Sequence, residues 1–177
     1  NYPNVMKAID LITSTDGLGM SPKRITVSTS GIPKMIKKMA DDEVKVKLAV
    51  SLHSAVEEIR NEIMPFTKNF PLTDLRESLE YWYRKTKSKV TYEYAVWKGI
   101  NDDKKSIDAL VKFCKYVPCK VNLIEYNPID DGMFQQASEE ATNAYITALA
   151  KSNIVAKVRR SRGKDIDAAC GQLANKS

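Results

Sequence analysis

The chain has 177 residues, 43% hydrophobic and 28% charged, a balance that suits one globular domain and excludes disordered and fibrous classes. A net charge of +6 and a pI near 9.1 point to an anionic partner, nucleic acid first, because charge speaks to binding and not to fold. No apolar run approaches the ~20 residues of a membrane span. Three cysteines and one histidine are too few for a disulfide framework, a zinc site or a complete cysteine-ligated iron-sulfur site, and they favour a reducing, cytoplasmic setting.

The start, Asn1-Tyr2-Pro3-Asn4, has neither an initiator Met nor a signal-peptide pattern, so the chain reads as a fragment of something longer. Asn4 is expected to cap a first helix ending near Thr13, with Val5, Ile9 and Ile12 at helical spacing. Residues 24–31 alternate Ile25 and Val27 with Thr26 and Ser28, the period of a strand. Pro33 opens a helix through Met39, and a second strand alternates Val46, Leu48, Val50 and Leu52 with polar and small residues. A short helix follows from Ala55 to Ile63, Pro65 breaks it, and a longer one, capped at Thr73, runs to Lys85. Residues 90–97 form a third strand, 103–116 a helix and 121–126 a fourth strand stopped by Asn127-Pro128. A loop through Gly132 leads to a helix from 139 to 151, and residues 154–160 give a fifth strand.

Strands alternating with helices predict a parallel α/β sheet, because a parallel crossover needs about a dozen residues or more. The number of βα units is too small for a closed barrel. Such sheets concentrate function beyond the carboxyl ends of their strands, where Ser28-Thr29-Ser30-Gly31, Ser51-Leu52-His53 and Asn127-Pro128 would sit. Past the last strand comes Arg159-Arg160-Ser161-Arg162-Gly163-Lys164, then Cys170. From Ala141 to Lys164 there are six basic residues (Lys151, Lys157, Arg159, Arg160, Arg162, Lys164) and no acid. This run is either a solvated face or a phosphate-binding patch. Nearby positive charge favours a thiolate and makes Cys170 the candidate nucleophile. Read singly, Cys170 beside two alanines is more readily a packing residue than a nucleophile, and His53 more readily a hydrogen-bonded strand end than a catalyst.

Together and in this order, these motifs resemble the RlmN/Cfr family of radical S-adenosylmethionine (SAM) RNA methyltransferases, in its carboxyl-terminal half and in its RlmN branch. The similarity runs from Asn1 to about Ala174 through residues 24–31, Leu48-Ala49-Val50-Ser51-Leu52-His53, residues 118–124, Tyr126-Asn127-Pro128 and residues 162–173. It implies a partial radical-SAM (βα) barrel of parallel strands and flanking helices, truncated at its N-terminal side. Residues 1–177 would form the later part of the core domain, with a cysteine segment over about 155–177. The resemblance further implies SAM contacts from Ser28, Ser51, Leu52, His53 and Asn127, and a methyl-carrying Cys170.

Members of the RlmN branch methylate C2 of an adenosine in 23S rRNA and in tRNA, using SAM and a [4Fe-4S] cluster, whereas the Cfr branch places the methyl at a different adenine carbon, and this half alone does not distinguish the two. The CxxxCxxC loop that holds the cluster, the Gly-Glu-Pro motif, the resolving cysteine and the base are all absent from this sequence. Cys114 and Cys119 do not replace them, so the chain contributes no metal ligand and is expected to be inactive alone. RNA contacts are assigned to Arg159, Arg160 and Arg162. Two other readings compete: a cluster-free basic RNA-binding module built on Lys157 and those arginines, and a thiol enzyme pairing Cys170 with His53 as base.

Overall fold

The computed structural model describes residues 1–127 and 134–160. Five strands form one sheet in the order in which they occur: β1 (Thr26–Thr29), β2 (Lys47–Ser51), β3 (Val90–Ala95), β4 (Cys119–Ile124) and β5 (Val155–Arg159). Every pairing is parallel. Helix α1 (Tyr2–Thr13) precedes the sheet, and α2 (Pro33–Asp41), α3 (Glu57–Ile63), α4 (Leu72–Thr86), α5 (Lys104–Phe113) and α6 (Glu139–Lys151) run between strands. Each connection steps to the next strand in the same direction, and such crossovers are right-handed. The crossover helices α2, α4, α5 and α6 therefore fall on a single face of the sheet.

The register explains which face. Leu48 pairs with Val90, Val50 with Tyr92, Tyr92 with Val121 and Tyr94 with Leu123. All of these are buried, together with Leu52. They join Ile36, Met39, Leu75, Leu79, Trp82, Leu110, Phe113, Tyr145 and Leu149 from the helices in one core, where each fully buried large apolar side chain contributes about 1.5–3 kcal/mol. Successive residues of a strand point to opposite faces, so the other face carries Ser28, Ser51, Thr91, Glu93, Lys120, Asn122, Lys157 and Arg159. A parallel sheet covered on both sides reads as unbroken apolar strands. This alternation marks instead a wall with helices outside and a polar space inside, the arrangement of a partial barrel.

Most boundaries shift by one to three residues from the sequence expectation, and three of the shifts have a visible physical reason. Asn1, not Asn4, occupies the cap position of α1, because Pro3 fits the first turn, where its missing N–H costs nothing. Helix α4 starts at Leu72 after Pro71, one residue before the expected Thr73 cap. The Glu57 Oε2 of α3 accepts the Leu72 N–H at 2.8 Å in place of a local cap. Strand β4 begins at Cys119, since the Pro118 carbonyl already accepts the Val90 N–H at 3.1 Å. The caps of α5 and α6 are local: Asp103 Oδ1 accepts the Ser106 N–H at 2.8 Å and Ser138 Oγ the Ala141 N–H at 3.2 Å. Among the described residues no helix is long and apolar enough to cross a membrane.

Candidate functional site at the carboxyl rim of the sheet

Parallel strands end on the same rim, and here that rim gathers the polar residues. Ser28 is exposed on the inner face of β1, and Ser51 closes β2 half-buried, paired with Glu93 of β3. Asn127, three residues beyond β4, is 4% exposed. Arg159 ends β5 and Arg160 follows it, both exposed. Arg162 and Cys170 lie outside the described residues.

The turn at Leu52 and His53 is the most constrained part of the rim. The Leu52 side chain is fully buried, its N–H donates to the Glu93 carbonyl at 3.0 Å, and its carbonyl accepts from Arg60 Nε at 3.3 Å. His53 has φ 54, a left-handed conformation that a non-glycine residue adopts only when its surroundings hold it. They do so on three sides. Its N–H donates to the Glu93 carbonyl at 3.3 Å, its carbonyl accepts from Asn101 Nδ2 at 2.8 Å, and its ring Nδ1 accepts the Ala95 N–H at 3.1 Å. Asn101, itself fully buried, also donates to the Ala95 carbonyl at 2.9 Å and accepts the Trp97 N–H at 2.8 Å.

An imidazole whose Nδ1 accepts a backbone N–H must carry its proton on Nε2 when neutral. Burial, and secondarily the nearby Arg60 charge, lower the His53 pKa to about 4. At neutral pH this ring is a fixed N–H donor and a poor base, which argues against pairing His53 with Cys170 as base and nucleophile.

Four aromatic rings stand along the same rim. The His53 centroid lies 5.6 Å from that of Trp97, and Trp97 lies 5.2 Å from Phe134 and 6.3 Å from Tyr126. On the inner face, Glu93 Oε1 accepts from Asn122 Nδ2 at 2.7 Å, and its Oε2 is 3.8 Å from Arg159 Nη1. A cluster of mutually tilted aromatic rings beside hydroxyl, amide and imidazole groups offers ring faces and edges to a ligand with a planar ring and a polar chain. These residues therefore fit SAM. They do not fit an iron-sulfur cluster: among the described residues no group of three or more His, Cys, Asp or Glu could hold a metal ion. Cys119 is half-buried at the start of β4 and donates its S–H to the Cys114 carbonyl at 3.4 Å.

A cavity of about 670 Å³ beside Lys23, Asp41, Glu43, Lys45 and Lys85 lies at the amino ends of the strands and contains none of the candidate residues. A smaller cavity of about 200 Å³ lies at the functional end, lined by Glu125, Tyr126, Gln136, Val158 and Arg160 among others. Sequence reasoning missed Glu93, Asn101, Trp97 and Arg60. A carboxylate inside the apolar run of β3 signals the first, and a charge on the buried stripe between Val56 and Ile63 signals the last. Asn101 in a loop carries no such signal.

The sheet, its single layer of helices and its polar rim form a partial (βα) barrel of the kind found in radical SAM proteins. In the crystal structure of a radical SAM methyltransferase from Sphaerobacter thermophilus the same fold recurs, with a TM-score of 0.93 and 35% identity over 97% of this chain and 50% of that one. No family model matches the chain. The chain is 82% identical over 176 residues to the probable dual-specificity RNA methyltransferase RlmN of Flavobacterium psychrophilum, a match covering 99% of this chain and 51% of that protein. The corresponding protein of Christiangramia forsetii is 73% identical over 177 residues, with 100% and 50% covered. The chain belongs to the RlmN/Cfr family and fits the carboxyl-terminal half of an RlmN-type protein. It spans about half the length of the curated relatives it matches.

Proposed function

We propose that this chain is the carboxyl-terminal part of an enzyme that methylates C2 of adenosine in 23S rRNA and tRNA. The observation that carries the reading is that 99% of the chain aligns at 82% identity with an RlmN methyltransferase, and the disposition of the rim supports it. SAM, when bound, supplies the methyl group. Ser28 and Ser51 hydroxyls and the Asn127 amide hold its polar atoms, the Leu52–His53 turn shapes the pocket floor, and His53 donates from Nε2. Cys170 carries the methyl as a thioether, since a thiolate is a far better methyl acceptor than an adenine carbon. Arg159, Arg160 and Arg162 bring RNA phosphate toward it. The ligands of the [4Fe-4S] cluster are not in this chain, which on its own is therefore inactive.

The full-length protein, reconstituted anaerobically with iron and sulfide, is expected to form 2-methyladenosine in rRNA and tRNA, detected by mass spectrometry of nucleosides. Cys170→Ala abolishes it, and the 177-residue chain forms none. Product from the Cys170→Ala variant at the normal rate would overturn the role of that thiol. Salt-sensitive RNA binding by the isolated chain, with no product from the full-length protein, would favour the binding-module reading.

A further inference from the structure

Arg60 of α3 is fully buried. Its Nη2 donates to the Ser30 carbonyl at 3.0 Å and its Nε to the Leu52 carbonyl at 3.3 Å. Those carbonyls belong to the segments that leave β1 and β2, so one guanidinium fork ties two neighbouring strand ends together. Space around it is closed: a Cβ added at Gly31, where φ is 96, would stand 3.1 Å from Nη2 and 3.2 Å from Leu75 Cδ1.

Burying a cation costs free energy that only good partners offset. Among the described residues no carboxylate lies within ion-pair distance of Arg60, and its Nη1 has no hydrogen-bond acceptor. A methionine would fill much of the same volume without that cost. What arginine alone adds is a rigid planar fork able to reach two acceptors at a fixed separation.

We propose that Arg60 is a positioning residue of the rim, setting the spacing between the Ser28–Gly31 and Ser51–His53 segments and thereby the seat of the ligand. The proposal rests on the reading of this rim as the SAM site. Arg60 does not touch the ligand; it acts through the two carbonyls and, at the second, through the left-handed turn at His53 that Asn101 holds from the other side.

The test uses Arg60→Met and Arg60→Lys in the full-length protein, with amide hydrogen exchange at single-residue resolution and calorimetric titration of SAM itself. Both variants are expected to lose protection at the Leu52 and His53 amides by about tenfold or more, as removal of hydrogen bonds from a charged donor implies. Tyr94 and Leu123, in the middle of the sheet, keep theirs. SAM affinity falls by about tenfold or more in both variants. Lysine keeps the charge but cannot bridge both carbonyls. Full protection and full affinity in Arg60→Lys would therefore overturn the proposal, as would unchanged protection at Leu52 and His53 or a loss spread evenly over the sheet. If the unsubstituted protein binds no SAM, the functional reading fails, and the local exchange pattern still decides whether Arg60 positions the rim.

Discussion

Because the sequence contains a single histidine, the state of His53 can be read without assignment ambiguity. In the folded chain its pKa is lowered to about 4, while its ordinary value is 6.5. The unfolded chain therefore takes up a proton that the folded chain refuses as pH falls from about 6.5 to 4. Stability from this group is complete above pH 6.5 and is lost progressively below it. A gap of about 2.5 pH units at about 1.4 kcal/mol each amounts to roughly 3 kcal/mol lost by pH 4, a substantial share of the 5–15 kcal/mol typical of a domain. Two measurements check this. The imidazole proton resonance should titrate with a midpoint near 4, and urea unfolding of the chain should lose about 3 kcal/mol more between pH 7 and pH 4 than that of a His53→Gln variant. A midpoint near 6.5, or equal pH slopes in the two proteins, would refute the account of a buried imidazole accepting the Ala95 N–H.

Tyr145→Phe removes a hydroxyl that donates to the Asn101 carbonyl at 2.5 Å and stands 3.1 Å from the Tyr94 hydroxyl; chemical denaturation should show a loss of about 1–3 kcal/mol, because both buried partners lose it at once. Leu79→Ala, at a fully buried position of α4, should cost about 2–5 kcal/mol in the same assay. Gly31→Ala should lower the thermal midpoint and SAM affinity together, since a Cβ is strained at its positive φ and, 3.1 Å from Nη2, would push the Arg60 guanidinium aside. If the β5 run meets RNA phosphate, Arg160→Ala should weaken binding to all RNAs alike and reduce the slope of log affinity against log salt by about 1.

Much of this fold is legible in the sequence for a simple reason. The strands alternate with period two and the helices between them keep one apolar stripe, so Leu48, Val50 and Leu52 announce both the strand and its buried face. Single-direction winding is not written in those units, since doubly wound sheets use the same ones, and it was expected from the family resemblance alone. The place of Ser51, His53 and Asn127 at strand ends was legible too, because a polar residue where a hydrophobic run stops is visible in one dimension. Asn101 was not, and for Arg60 the charge on a buried stripe was visible but not what it holds. Their partners lie 30 and 8 residues away for Arg60 and 48 and 6 away for Asn101, and which carbonyl a buried side chain meets is decided by the packing of separate βα units. The helix starts at Tyr2 and Leu72 slipped for a related reason, a proline in one case and a carboxylate borrowed from α3 in the other.

The one-way winding of the sheet has a further consequence for the chain in solution. Among the described residues β1 and β5 are the outer strands, and each leaves one row of backbone donors and acceptors without a ladder partner. On β5 that row is flanked by Val155 and Val158, 58% and 43% exposed, while Lys157 and Arg159 between them supply the like charge that discourages another strand from docking. Lys157 and Arg159 therefore guard this edge against edge-to-edge pairing whether or not either meets RNA. Neutralising them, by substitution or by a bound polyanion, would weaken that repulsion and favour docking of a second edge.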